Sequence, residues 1–277
     1  MDLRLKDKVA LITGSSRGIG LATAHAFAAE GCRLMLSARS GDALRAAETA
    51  LRASGATVVS EVADVTQPDD AARLVLASVA AFGGIDILIN CAAIFNKKGV
   101  LDMPLDEWQR QLAIILGGTF LFTKHVAKLM IDQGRQGSII NIISTAGHQG
   151  EPGNIAYCTG KSGLLNFTRS AAMELIGRGI RVNSLTPTAT DPAESLERGG
   201  RWGRKVPSAE NSNRLRQAFD PFRNRVAMQQ LPGPSDYGKA AAFLASDDAA
   251  MITGIDLRVD AGAIAQYWAW DPSSKQS

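Results

Sequence analysis

The chain has 277 residues, 45% of them hydrophobic, enough to build a sizeable core in one large domain or two small ones. Its 30 basic and 27 acidic side chains are mixed along the sequence and leave a net charge of only +3, which excludes the concentrated basic footprint of a nucleic-acid binder. Three widely separated cysteines, Cys32, Cys91 and Cys158, match no metal spacing and cannot all pair, so a reducing, cytoplasmic setting with no metal is expected. The N-terminus has no apolar signal core and no stretch reads as long enough to span a bilayer, so no membrane association is expected.

Short apolar runs rich in β-branched residues occur at 9–13, 33–38, 57–62, 85–90, 138–142, 181–185 and 256–259. Between most of them lie Ala-rich or amphipathic stretches of helical length, at 19–30, 42–53, 69–81 and 162–176. Strand and helix alternating in this way predict an α/β fold, a doubly wound parallel sheet with helices on both faces. No repeat or linker divides the chain, so a single domain is expected.

The first run leads into Thr13-Gly14-Ser15-Ser16-Arg17-Gly18-Ile19-Gly20, at the opening of the first helix. Glycines after a strand and before a helix permit a tight turn and a close approach of backbone to a pyrophosphate, with helix amides aimed at the anion. The second run ends Ser37-Ala38-Arg39, without the carboxylate that would hold a ribose 2′-hydroxyl. Arg39 and Arg17 can instead pair with a 2′-phosphate, which favours NADP(H) over NAD(H). Asp64, after the third run, either accepts from the adenine amino group or caps the next helix. Cys91 reads as a packed small hydrophobe rather than a nucleophile.

Tyr157 and Lys161, in Ala156-Tyr157-Cys158-Thr159-Gly160-Lys161, are four positions apart and share one face of a helix. A cation close to a phenol favours the phenolate and lowers its pKa by roughly 1–3 units. That predicts an acid/base usable near neutral pH, suited to moving a proton on an oxygen while hydride moves on its carbon.

Together these pieces resemble the short-chain dehydrogenase/reductase family in its single-domain form, over almost the whole chain. The matches are Thr13-Gly14-x-x-x-Gly18-Ile19-Gly20, Asp64, Asn90, the strand ending in Ser144, Tyr157 with Lys161, Ile180-Arg181-Val182-Asn183, and Thr253-Gly254 followed by Asp260. The resemblance implies a Rossmann fold, with Ser144 bonding the substrate oxygen, Tyr157 as acid/base, and Lys161 holding the nicotinamide ribose. It also implies cofactor contacts from Ser16, Ile19, Val65, Asn90, Pro187 and Thr188, and a homodimer or homotetramer through the helices around 108–130 and 157–175. The family pattern is broken at Ile115, where an asparagine usually orders a proton-relay water, at Ala93 in Asn90-Cys91-Ala92-Ala93, and at Thr188 after Pro187.

The substrate side is less specific. Residues 188–231 read as a long lid, with Gly199, Gly200 and Gly203 as hinges. Arg198, Arg201, Arg204, Lys205, Arg214, Arg216, Arg223 and Arg225 either guide an acidic substrate or form a solvated face with nearby acids. Phe95 and His148 are expected to border the cleft. Trp202 either covers an apolar substrate or simply packs. The aromatic tail with Tyr267, Trp268 and Trp270 is expected to pack on a neighbouring subunit or over the site. The expected function is transfer of hydride between NADP(H) and a small secondary alcohol or ketone. The alternatives are the same chemistry with NAD(H), or a catalytically weak dinucleotide-binding regulator.

Overall fold

A computed structural model of the chain describes residues 2–193 and 208–266. The strands are β1 Val9–Thr13, β2 Arg33–Ala38, β3 Val58–Val62, β4 Ile87–Asn90, β5 Gly137–Ile142, β6 Ile180–Pro187 and β7 Asp256–Val259. They form one seven-stranded sheet in the order β3-β2-β1-β4-β5-β6-β7, parallel at every pairing. The helices that cover it are α1 Gly18–Ala29, α2 Gly41–Ala53, α3 Pro68–Phe82, α4 Leu105–Leu112, α5 Gly118–Asp132, α6 Ile155–Leu175, α7 Ala209–Ala218, α8 Asp220–Arg223 and α9 Pro234–Ala245.

The alternation of side chains along the strands divides the core in two. On one face Ala10, Ile12, Leu34, Leu36, Ile87 and Ile89 pack with Phe27 of α1 and Tyr237 of α9. On the other Leu11, Met35, Leu88 and Ile139 pack with Phe122, Val126 and Met130 of α5. Strands apolar toward both faces are what a parallel sheet covered on both sides requires. All five residues of β1 are buried.

Helix α4 does not end at Leu112. It passes through a π-helical segment, Ala113–Gly117, straight into α5, giving a continuous helix Leu105–Asp132 of 28 residues. By length and composition this helix could cross a bilayer, against the expectation that no stretch could; half of its most apolar window is buried within the fold. Ile114, Phe122, Val126 and Met130 of this helix pack into the core, while Phe120 is half exposed.

Helix α6 begins at Ile155, so the Tyr157 and Lys161 face and the apolar stretch from 162 belong to one helix. Its first two turns carry Tyr157, Thr159 and Lys161, so the apolar period that reveals the later turns is absent there. Helix α9 was not anticipated. Pro234 stands in its first turn, the Asp236 carboxylate accepts from the Gly233 N–H at 2.9 Å, and the helix lies so close on α1 that a Cβ on Gly238 would stand 2.9 Å from the Ala22 carbonyl oxygen.

Candidate active site

The sheet order reverses between β1 and β4, and a cleft of about 410 Å³ opens beyond the C-terminal ends of those strands. Gly14 leaves β1 with φ 67°, in the left-handed region, and a Cβ there would stand 2.8 Å from Ala92 Cα. A Cβ on Gly20 would be 2.5 Å from the Gly14 carbonyl oxygen. The turn is thus pressed against the exit of β4 and against the start of α1. Ser15 pins it to β2, its Oγ accepting from the Ser37 N–H at 2.9 Å. The first turn of α1 holds no acidic residue, so its free amides face the cleft without a competing charge.

Gly14, Ser16, Arg17, Ile19, Gly20 and Arg39 line this end of the cleft, and Gly18 opens α1 with φ 57°. Arg17 and Arg39 are both exposed, and neither meets an acid among the described residues. The nearby Asp42 is engaged by Arg45. Val65 also lines the cleft, with Ala63, but Asp64 between them does not. Its Oδ1 accepts from the Thr66 N–H at 3.0 Å and from the Thr66 hydroxyl at 2.8 Å, so the carboxylate shapes the turn before α3 rather than reaching toward an adenine. The Asn90 side chain is likewise diverted. Its amide donates to Asn141 Oδ1 at 2.9 Å and to Thr123 Oγ1 at 3.2 Å, and Asn141 donates onward to Thr168 at 3.0 Å, a buried chain joining β4, β5, α5 and α6 beneath the site.

At the other end of the cleft stand Tyr157, Lys161 and Pro187. Tyr157 and Lys161 are presented by the first two turns of α6, and Ser144 by the exit of β5. The Ser144 hydroxyl hydrogen-bonds to the Tyr157 phenol and accepts from the Ala146 N–H at 3.2 Å. Lys161 is buried; its Nζ donates to the Ile142 carbonyl at 2.5 Å and lies 5.7 Å from the centre of the Tyr157 ring. Burial governs both groups. It pushes the phenol up to about 12, outweighing the downward effect of the Ser144 hydrogen bond, and pushes Lys161 down to about 8. This corrects the expectation that Lys161 brings the phenol toward neutrality: in this chain the loss of solvent around the phenol is the larger effect. Burial also raises the Cys91 thiol to about 11, in keeping with a packed rather than nucleophilic cysteine.

Ile115, in the π-helical segment, is fully buried in an apolar cluster with Ile143 and Leu164, which Tyr157 also touches. A Cβ on Gly160 would be 3.1 Å from Ile115 Cγ2, so the isoleucine fills the space against the turn of α6 that links Tyr157 to Lys161.

On the substrate side, Phe95 meets Tyr157 edge to face with ring centres 5.2 Å apart, and the Lys97 ammonium lies 5.5 Å from the Phe95 ring. Thr188 does not line the cleft; its carbonyl accepts from the Tyr237 hydroxyl at 3.3 Å. His148 points its Nε2 not at Tyr157 but at Thr186 Oγ1, 3.2 Å away, and Asp256 Oδ2, 3.1 Å away. Nothing in the local sequence around Asp256 marks it as a partner of His148. Sequence reasoning also missed Ile114 and Ile143 in the cleft wall, apolar residues whose only signal is their place after a strand or in a helix. Two arginines of the expected lid, Arg214 and Arg223, are matched by Glu210 and by Asp220 with Asp191, as the solvated-face alternative requires. Trp202, Arg198, Arg201, Arg204, Lys205 and the hinge glycines lie outside the described residues, as do Tyr267, Trp268 and Trp270.

A sequence profile described as Enoyl-(Acyl carrier protein) reductase matches residues 14–263. A 3-oxoacyl-[acyl-carrier-protein] reductase from Synechocystis sp. is 36% identical over 264 residues, covering 94% of this chain and 98% of that protein. The chain belongs to the short-chain dehydrogenase/reductase family. A second relative, the D-threitol dehydrogenase of Mycolicibacterium smegmatis, is 36% identical over 266 residues, covering 94% of each. A solved structure of NAD⁺-bound xylitol dehydrogenase superposes with a TM-score of 0.81 at 33% identity, covering 92% of this chain and 98% of that one. Short-chain dehydrogenases/reductases bind a nicotinamide dinucleotide. The residues present fit that group: two glycines leave no room for side chains where a pyrophosphate passes, free helix amides face the same space, and a half-buried tyrosine and a buried lysine stand at the far end.

Proposed function

We propose that this short-chain dehydrogenase/reductase interconverts a small secondary alcohol and its ketone with NADP(H). The observation that carries this reading is one cleft with Tyr157 and Lys161 at one end, Ser144 hydrogen-bonded to that tyrosine, and at the other end Arg17 and Arg39, which meet no acid among the described residues. When bound, the dinucleotide supplies or accepts the hydride. Arg17 and Arg39 would hold its 2′-phosphate, and the amides of α1 its pyrophosphate. Ser144 bonds the substrate oxygen and orients it toward Tyr157. Tyr157 then gives its proton to that oxygen in the reducing direction, or takes it in the oxidising one. Lys161 supports the phenolate left behind and bonds the ribose beside it. A phenol held near 12 carries its proton at neutral pH, the form needed to protonate a ketone oxygen.

Parallel fluorescence titrations with NADPH and NADH, followed by turnover of Tyr157→Phe on a panel of ketones and polyols, test the proposal. Much tighter NADPH binding and loss of turnover in the variant are expected. Equal or tighter NADH binding would leave Arg39 a surface charge, and full turnover by the variant would remove Tyr157 from the chemistry.

Two other readings each rest on an observation. Similarity to a D-threitol dehydrogenase and to an NAD⁺-bound xylitol dehydrogenase favours NAD-dependent alcohol oxidation. The buried Ile115 favours a dinucleotide-binding regulator of weak activity. Under all three readings residues 188–231 are proposed as a lid, the cytoplasm as the setting, and a homodimer or homotetramer as the working form, joined through the outer faces of α5 and α6.

A further inference from the structure

Asp256 opens β7 with its side chain only 12% exposed, close behind the site yet touching none of the three catalytic groups. Its Oδ1 accepts from the Ser184 hydroxyl at 2.6 Å and the Thr186 hydroxyl at 2.9 Å. A hydroxyl has one proton. Since that of Thr186 goes to the carboxylate, its oxygen is left to accept, and the ring nitrogen 3.2 Å away must donate. His148 therefore carries a proton on Nε2 and donates it to Thr186, while Asp256 Oδ2 lies 3.1 Å from the same nitrogen without a hydrogen bond of its own.

What this ring anchors is the turn bearing Ser144. From β5 the chain makes one 3₁₀ turn, Thr145–Gly147, and reaches His148. Gly147 within it sits on α6 so tightly that a Cβ would lie 2.9 Å from the Lys161 backbone carbonyl. The turn is held at its start by the Ile143 N–H donating to Leu185 at 2.8 Å, and at its middle by Thr145 Oγ1 donating to Thr188 Oγ1 at 3.5 Å. Among the described residues, only His148 fixes its far end through a side chain, across β6 to β7.

Building on the oxidoreductase reading, we propose that His148 and Asp256 are positioning residues. With Thr186 between them, they latch the Ser144 turn to β6 and β7 and so set the Ser144 hydroxyl against the Tyr157 phenol. Neither residue touches the reacting atoms. Glutamine can offer a donor where Nε2–H stands, whereas alanine cannot.

The test compares wild type with His148→Ala, His148→Gln and Asp256→Asn. His148→Ala is expected to lower kcat about tenfold, because small misplacement of a reacting group is costly. The KM for the ketone and the affinity for NADPH change far less, and His148→Gln restores most of the rate. An unchanged kcat in His148→Ala, or a His148→Gln variant as slow as alanine, overturns the proposal. The ¹⁵N spectrum of the three histidines gives a readout independent of turnover. Nε2 protonated and Nδ1 bare in wild type, with the Nε2 shift moved in Asp256→Asn, supports the latch; a proton on Nδ1 alone overturns it. A protein that turns over nothing but shows the Nε2–H form would sink the oxidoreductase reading and leave the latch standing.

Discussion

Lys161 shows at the scale of one residue how the site departs from a simple ion-pair picture. It stands buried with one carbonyl partner, and its pKa falls from 10.5 to about 8. The unfolded chain keeps this proton up to the ordinary lysine value, while the folded chain releases it near 8. The cost of burying the charge is therefore full below pH 8 and fades as pH rises toward 10.5. Lys161→Met is expected to raise stability at pH 7 by about 2 kcal/mol, or roughly 4–8 °C in midpoint, after allowing for the lost hydrogen bond to Ile142. The gain should shrink to nothing near pH 10, and turnover should be lost at every pH. Thermal melts of both proteins at pH 7, 9 and 10 decide it; a gain that does not vary with pH would show that desolvation of the ammonium is not its source. The Tyr157-x-x-x-Lys161 pair was legible only with its context, the glycine turn and Ser144, because the same spacing recurs on ordinary amphipathic helices. The sign of the Tyr157 shift was not, because it depends on how deeply the folded chain covers the phenol.

At the scale of elements, the π-helical segment Ala113–Gly117 places Ile115 against α6 between the acid/base and its lysine. Substituting asparagine would put an amide in a fully apolar cluster with Ile143 and Leu164, at a cost of about 3 kcal/mol if it finds no partner. The same amide would supply the donor and acceptor that the family pattern uses for a proton relay. Ile115→Asn is therefore expected to melt lower yet reduce ketones faster. A folded variant with unchanged or slower turnover would mean that the proton leaves by another route. The extra residue in the π-turn had no signature in the sequence, since 3.6-residue periodicity on both sides reads as one plain helix. The strands were legible because both faces of a doubly covered parallel sheet select runs of Val, Ile and Leu. Among the expected site residues that do not line the cleft, Asp64 and Asn90 share one reason: position after a strand says where the backbone goes, not where a short polar side chain finds its partner.

Over the whole molecule, one stretch of surface is less finished than the rest. Between α5 and α6 lies an outward-facing groove of about 520 Å³ walled by Phe120, Ala127, Ile131, Phe167 and Leu175, with Phe120 half exposed beside it. Such an apolar face suits the proposed subunit contact. Light scattering is expected to give a mass two or four times the 29.3 kDa of one chain, and Phe120→Lys to shift it toward a single chain without loss of helix content. A wild-type protein of one chain's mass would refute that assembly. The cofactor end of the molecule could be read ahead of the structure because it is built from backbone, and glycines advertise backbone. The substrate end could not, because it is assembled by side chains from β4, β5, β6 and β7 that meet only after folding.

The crowding at Gly14 bears on how this protein could be re-engineered. The turn has no space for even one added carbon, with Ala92 Cα 2.8 Å from where it would go, while Arg17 and Arg39 stand in open solvent at the rim. The proposed determinants of nicotinamide preference are thereby separated from the turn on which folding depends. A library that randomises positions 17, 39 and 40 explores cofactor choice among molecules that still fold, whereas one that also randomises position 14 spends most of its diversity on chains that do not.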